Sequence, residues 1–113
     1  MPTLSEKQLG QVRPVTTEPS SVYSPGASVS STIIKTIIIC NQSASSANYR
    51  IFYNSSGSVY DVSTAIFYDV PLDAKTTAIV ETYMAMNDAN GNVAVRTDTP
   101  SALTFTLAGA EVT

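Results

Sequence analysis

Residues Ser30 to Ser43 read SSTIIKTIIICNQS and form the most apolar segment of the chain. Side chains of a β-strand alternate between two faces, so a strand with one wet face should alternate apolar and polar residues. Here one face would carry Ile33, Lys35, Ile37 and Ile39, and the other Ile34, Thr36, Ile38 and Cys40. Beyond Thr36 both faces are apolar. The sequence therefore predicts a strand whose second face is covered by something other than water.

Short β-like segments follow this strand at regular intervals, separated by turn-forming residues. Asn90-Gly91 is the strongest hairpin signal in the chain, because a type I′ turn needs positive φ at both central residues. Segment 59–64 is compatible with a loop or with a short helical turn. The predicted strands cover residues 31–40, 47–54, 65–70, 76–85, 92–97 and 102–107.

This spacing, without any long helical pattern, is typical of an antiparallel β-sandwich or jelly roll. We therefore predict an all-β protein of about six to eight strands, which occupies residues 22–113 as one domain. The apolar positions of the strands predict a core, and its members are Ile33, Ile37, Ile39, Ile51, Phe67, Ile79, Val80, Val93, Val95, Leu103, Phe105 and Leu107.

Residues 1–21 differ from the rest of the chain. Pro2, Pro14 and Pro19 interrupt them, and no apolar periodicity persists. Proline removes a backbone donor and favours extended conformations. We predict that these residues form an extended N-terminal arm.

The charge of the chain excludes some classes of partner. Only 13% of residues are charged, about half the usual share, and the formal net charge is −3. Nucleic-acid binding needs several phosphate contacts, which six scattered bases do not supply. No stretch approaches the roughly 20 apolar residues that span a bilayer, and the N-terminus lacks the apolar core of a signal peptide. We expect no nucleic-acid partner, no membrane association and synthesis without export, in the cytoplasm of the cell that makes the protein.

The side-chain inventory argues against catalysis. The chain has no histidine and a single cysteine, Cys40, so the usual histidine-based mechanisms, zinc sites and intrachain disulfides are excluded. Asp61, Asp69 and Asp73 fit a glycosidase pair or a calcium loop, but they fit backbone-bonding turns better. We predict no catalytic residue, no metal site and no cofactor.

Several short motifs occur in a fixed order along the chain. They are YSPG at 23–26, IIICN at 37–41, ANYRIF at 47–52, FYDVPL at 67–72, NVAVR at 92–96 and ALTFTLAGAEVT at 102–113. Their order and spacing resemble those of a family of small virion structural proteins of tailed bacteriophages, over residues 9–113. The resemblance implies a role in virion assembly without catalysis, and partners among the major capsid protein and other virion proteins.

The family resemblance and the doubly apolar strand together favour a capsid decoration, or cement, protein located on the capsid surface. We expect a homo-oligomer, a trimer, that covers the exposed isoleucines and uses the arm to clamp neighbouring capsid subunits. The predicted interface residues are Leu9, Val12, Pro14, Val15, Ile34, Ile38, Tyr49 and Tyr53.

Two alternatives remain open from the sequence. A tail, collar or baseplate component would use the same arm between rings. A carbohydrate-binding or host-adhesion module would use the six tyrosines and the turn carboxylates as a sugar site.

Overall fold

The structure, a computed structural model, describes residues 3–113 and consists of two antiparallel β-sheets. Eight strands are present in this range, which confirms the predicted all-β sandwich. They are β1 (Leu4–Val12), β2 (Ser20–Tyr23), β3 (Ser31–Asn41), β4 (Ala47–Asn54), β5 (Ala65–Leu72), β6 (Thr77–Met86), β7 (Asn92–Thr97) and β8 (Leu103–Val112).

The strand order is that of a jelly roll. Sheet A has the order β1-β8-β3-β6, and sheet B has the order β2-β7-β4-β5. The chain changes sheet at every connection except that between β4 and β5, which form an antiparallel hairpin. The doubly apolar strand β3 lies inside sheet A, between β8 and β6.

The connection at Asn90-Gly91 corrects one prediction. The two strands that it joins, β6 and β7, lie in different sheets and do not pair with each other, so the predicted hairpin is wrong. Neither residue has a positive φ. Instead, Asp88 organises the turn: its side chain accepts from the amide of Asn90 at 2.8 Å, and its carbonyl accepts from that of Gly91 at 2.9 Å. A short polar turn thus serves a crossover as well as it serves a hairpin.

The alternation along β3 changes phase at Lys35. The register of β3 against both of its neighbours shifts between Ile34 and Thr36, which marks a β-bulge. Because the bulge adds one residue to the alternation, Ile34 joins Ile37 on the inner face and is fully buried, while Ile33 is only partly buried. The predictions that Ile33 points inward and that Ile34 points outward are therefore wrong.

The core between the sheets contains most of the predicted residues. Fully buried are Ile37, Ile39, Ile51, Val93, Val95, Leu103, Phe105 and Leu107, which confirms them as core. Phe67 and Val80 are partly buried and pack against this cluster. Ile79 is 66% exposed, so its assignment to the core is wrong. The reason is the pairing of β6: Val80 lies opposite the buried Ile37, which turns Ile79 outward.

The N-terminal segment is extended in β1 and at its junction with β2, and it bends at residues 15–18 between them. Strand β1 pairs with β8 at the edge of sheet A, and β2 pairs with β7 at the edge of sheet B. Gly10 permits this arrangement, since a Cβ there would collide with the carbonyl oxygen of Val22. Met1 and Pro2 lie outside the described residues. The division of the chain into an arm (1–21) and a domain (22–113) stays a prediction.

Candidate assembly surface

Part of the outer face of sheet B is covered by the chain itself, whereas Ile66 and Tyr68 of β5 are 42% and 46% exposed. Phe52 and Ala94 point away from the inter-sheet core, yet they are 1% and 0% exposed. The loop between β4 and β5 supplies the ring of Tyr60, whose centroid lies 6.0 Å from that of Phe52. The hydroxyl of Tyr60 donates to Asn92 at 2.8 Å and fixes the loop on β7. Phe52 is therefore shielded from water without a partner protein.

Polar contacts complete the outside of sheet B. Arg50 donates two hydrogen bonds to the carboxylate of Asp69, at 2.7 and 3.1 Å, and its guanidinium lies 3.9 Å from the centroid of the Tyr68 ring. The hydrogen bond from Arg50 lowers the pKa of Asp69, and the same bond raises the pKa of Arg50. Asp69 thus serves an ion pair on β5 rather than the turn that the sequence predicted.

The outer face of sheet A is different, because its apolar side chains remain accessible. Ile38 on β3 lies between Ile79 of β6 and Thr106 of β8. Ile79 is 66% exposed and Tyr83 is 73% exposed. We call this surface the open face; its residues are Ile33, Ile38, Cys40, Ile79, Glu81, Tyr83, Thr104, Thr106 and Ala108. Accessible isoleucine and tyrosine side chains on one sheet face are typical of a surface that becomes buried in an assembly.

A shallow groove indents one end of the open face. It has a volume of about 360 Å³ and runs between β3 and β6, where it is lined by Ser31, Thr32, Ile33, Tyr83, Ala85, Met86 and Asn87. Its floor and walls are apolar or uncharged. The groove suits an inserted apolar or uncharged side chain of another protein.

An ion pair borders the open face on the side of β1. Lys35, displaced outward by the bulge, contacts Glu6 at 2.7 Å. The hydrogen bond from Lys35 lowers the pKa of Glu6. Both side chains are about half exposed or more, so solvent screens the pair and it adds little to stability. A further charged residue, Glu81, lies within the face, between Ile79 and Tyr83 on the exposed side of β6.

A second group of polar residues ties β1 to the interior. Glu111 of β8 is 7% exposed and contacts Lys7 of β1 at 2.5 Å. The same carboxylate accepts a hydrogen bond from the hydroxyl of Tyr23, which also contacts the hydroxyl of Thr32 at 2.8 Å. The hydrogen bond from Lys7, followed by that from Tyr23, lowers the pKa of Glu111. Desolvation raises the pKa of Tyr23 to about 12, so this phenol remains a donor at physiological pH. Four strands therefore meet at one buried carboxylate.

The structure separates the predicted interface residues into three groups. Ile34 and Tyr49 are buried in the core of the chain, so the prediction that they face a partner is wrong. Leu9, Val12 and Pro14 pack into the sandwich from the N-terminal segment, and Tyr53 is partly buried and donates to the carbonyl of Ala85. Val15, which is 66% exposed, and Ile38 on the open face are accessible. For all of these except Ile34 and Tyr49, an interface role stays a prediction.

The predicted interface residues do not include Ile79 and Tyr83, although both lie on the open face. The sequence of β6, TAIVETYMAM, carries the signal that identifies them. Met84 and Met86 share the parity of Val80, and that parity proves to be the inner one, which leaves Ile79 and Tyr83 outside. The predicted core contained both Ile79 and Val80, although two successive residues of a strand cannot share a face.

Of the residues proposed for a sugar or metal site, Tyr68 and Asp69 meet at Arg50 on sheet B. The most exposed tyrosines, Tyr68 and Tyr83, lie on different sheets. The carboxylate of Asp61 accepts from the amide of Ser63 at 2.8 Å, as expected of a turn. Within residues 3–113 no cluster of three or more His, Cys, Asp and Glu side chains has the geometry to hold a metal ion. Over the same residues no helix is long and apolar enough to cross a membrane.

The fold has counterparts among solved structures of viral particles. A chain of the T13 particle of infectious bursal disease virus superposes on 98% of this chain with a TM-score of 0.56 and 10% identity, and the match covers 30% of the viral chain. The VP2 subviral particle of the same virus gives a TM-score of 0.54 and 11% identity, over 98% of this chain and 32% of the viral one. The chain therefore spans about a third of the length of these viral proteins.

A bacterial fibre protein has the same fold. A protein of Bacillus endospore appendages, which form disulfide-linked pili, superposes on 99% of this chain with a TM-score of 0.55 and 12% identity. In this case the match covers 88% of the other chain. No protein-family model matches the sequence, and no curated protein matches it. At identities near 10% these likenesses establish a shared jelly-roll fold.

Proposed function

We propose that this protein is a structural subunit of a virion, and specifically a decoration protein that binds the outside of a capsid as a symmetric oligomer. The observation that carries the proposal is the open face. Its Ile79 and Tyr83 are 66% and 73% exposed, more than Ile66 and Tyr68 on the outer face of sheet B, where the chain covers Phe52 with its own loop. A protein that acts alone gains nothing from leaving Ile79 and Tyr83 in water, since each forgoes roughly 1.5–3 kcal/mol of burial.

Three further features support a role in assembly. The jelly roll is shared with proteins of icosahedral viral particles. The low share of charged residues leaves a surface that suits lasting contact with other proteins. The motif resemblance to small phage virion proteins points in the same direction and makes the capsid shell the expected partner.

The location on the particle is tested by counting copies. If the protein decorates the capsid, we expect quantitative mass spectrometry of purified particles to find hundreds of copies of this chain, comparable with the number of major capsid subunits. A dozen copies or fewer would instead place the protein in the tail, collar or baseplate. Density in a reconstruction of the same particles, or bound antibody, gives the position independently.

A second candidate function is the subunit of a self-assembling fibre. The observation that favours it is length: the match covers 88% of the endospore appendage protein but only 30% of the viral particle protein. A fibre subunit would assemble without any shell. Negative-stain microscopy of the purified protein alone distinguishes the two, because fibres form at high concentration only under the second candidate, and a decoration protein remains as discrete oligomers until capsids are added.

A further inference from the structure

We propose that β1 is exchanged between copies of this chain, so that residues 3–14 of one subunit pair with β8 of a second subunit in the assembled protein. This inference deepens the proposed assembly function and rests on it, because exchange needs an oligomer. It assigns the N-terminal segment to a sister copy rather than to a capsid subunit.

The first argument is the way in which β1 is attached. The side chains of residues 4–8 are exposed, so this part of the strand is held by its backbone ladder to β8 and by the ion pairs of Glu6 and Lys7. Only Leu9, Val12 and Pro14 bury apolar surface. Every one of these contacts is reproduced when the same segment from another copy takes the same place, so exchange costs little in contact energy.

The second argument is a hinge of two residues. The carbonyl of Pro14 accepts a hydrogen bond from the amide of Ser101 at 2.8 Å, which fixes the end of the segment. The carbonyl of Thr17 accepts from Arg96 at 2.8 Å, which fixes the chain on sheet B. Val15 and Thr16, between these anchors, are exposed. A short hinge that reverses the chain between two sheets opens readily into an extended link to a neighbour.

The third argument concerns the charge of the strand that pairs with the edge of β8. When β1 leaves, Glu111 loses Lys7 and keeps Tyr23 as a side-chain partner. A strand that then covers the edge of β8 would bury this carboxylate again, so the edge favours a strand that carries lysine at this register. The N-terminal segment of a second copy brings Lys7 opposite Gly109, beside Glu111, in the same register. The exposed Val15 of the hinge then lies at the contact between the two copies, where it is shielded from water.

Thiol cross-linking of facing residues tests the exchange. Gln8 lies opposite Ala108, and both positions are accessible. In a Cys40→Ser background, Gln8→Cys and Ala108→Cys are combined in one chain, and the assembled protein is bridged with a short bismaleimide. Exchange predicts covalent multimers on a denaturing gel, whereas an unexchanged β1 gives covalent monomers and overturns the inference. Leu4→Cys with Val112→Cys, a second facing pair, repeats the test in case the first pair disturbs the bulge beside it.

Co-expression of the two single variants sharpens the result. A chain with only Gln8→Cys and a chain with only Ala108→Cys yield a covalent heterodimer when β1 of one lies on β8 of the other. Absence of that product, or of any cross-link with both facing pairs, refutes exchange. Insertion of four glycine and serine residues between Val15 and Thr16 is the matched control, since a longer hinge lets β1 return to its own sheet and lowers the yield of multimers.

The same samples are tested separately for binding to capsids by co-sedimentation. Covalent monomers that still bind capsids refute exchange and leave the decoration function standing. Covalent multimers that do not bind capsids support exchange and contradict decoration.

Discussion

The carbonyl oxygen of Ile33 lies directly against the Cα of Gly109, so that a Cβ at position 109 would stand well inside 3.0 Å of it. This contact occurs beside the bulge of β3, where Ile34 is paired with Gly109. Glycine is required here for close approach of two backbones rather than for an unusual φ. The contact therefore links the bulge that reverses the alternation of β3 to a glycine of the neighbouring strand.

Gly109→Ala is expected to destabilise the protein by about 1–3 kcal/mol, because the new methyl group must push β3 away from β8. The measurement is urea unfolding followed by circular dichroism. Ala108→Ser, at the adjacent outward position of the same strand, is the control and should change the free energy of unfolding by less than about 0.5 kcal/mol. Equal stability of the glycine and alanine proteins would contradict the close approach.

Ile33 and Ile34 provide a second test of the bulge. Ile34→Ala should cost about 2–5 kcal/mol, since it leaves a cavity at a fully buried site, whereas Ile33→Ala should cost less than about 1.5 kcal/mol. The two variants remove the same atoms from adjacent residues, so they control for each other. If β3 followed an unbroken alternation, the order of the two losses measured by urea unfolding would be reversed.

These residues also indicate how far the sequence determines the fold. The strand-like segments, the turn residues between them and most of the core follow from local patterns, and the core at Leu103, Phe105 and Leu107 follows from plain alternation. Which residues of β3 point inward before Lys35 does not follow from local patterns, because a bulge depends on the registers of two neighbouring strands. The hairpin predicted at Asn90-Gly91 is wrong for a similar reason, because the sheet that a strand joins depends on its pairing with strands distant in sequence.

The sequence predicted that an accessible apolar surface exists, but it identified only some of the residues that form it. The apolar second face of β3 predicted an accessible patch, and Ile38 lies in it. The sequence did not reveal that the loop containing Tyr60 covers Phe52 on the outside of sheet B, because that contact joins residues of separate elements. Ile79 and Tyr83 become recognisable once Met84 and Met86 are assigned to the inner face.

Loss of apolar side chains from the open face is expected to weaken assembly without weakening the fold. Ile79→Ser and Tyr83→Ser remove side chains that are already largely in water in the single chain, so the free energy of unfolding should change by less than about 0.5 kcal/mol. Binding to capsids, measured by co-sedimentation, should fall at least tenfold for the double variant, which corresponds to about 1.4 kcal/mol.

Val62→Ser is the matched control for that double variant. Val62 is 74% exposed and lies in the loop after β4, away from the open face. Its replacement removes a comparable apolar side chain and should leave binding unchanged. A similar loss of binding for Val62→Ser would mean that general surface hydrophobicity, rather than the open face, attaches the protein.

The buried carboxylate of Glu111 should make the attachment of β1 depend on pH. Lys7 and Tyr23 hold the folded-state pKa of Glu111 below its ordinary value of about 4.3. Between the folded and unfolded pKa values the unfolded chain binds more protons, so stability rises with pH in that window. The contribution of Glu111 is thus complete above about pH 4.3 and is lost as the pH falls through the lower folded value.

Glu111→Gln removes this contribution, and we expect it to cost about 1–2 kcal/mol at pH 7 and progressively less as the pH falls below about 4. Urea unfolding of both proteins between pH 3 and pH 7 measures the difference. Glu6→Gln is the control: it removes an ion pair of β1 that is largely in solvent, and should leave the free energy of unfolding nearly unchanged at each of these pH values. Because Glu111 contacts β1 through Lys7, hydrogen exchange of the amides of residues 4–12 should accelerate in the glutamine variant before that of β3 does. Uniform acceleration of all strands would show instead that Glu111 stabilises the sandwich as a whole.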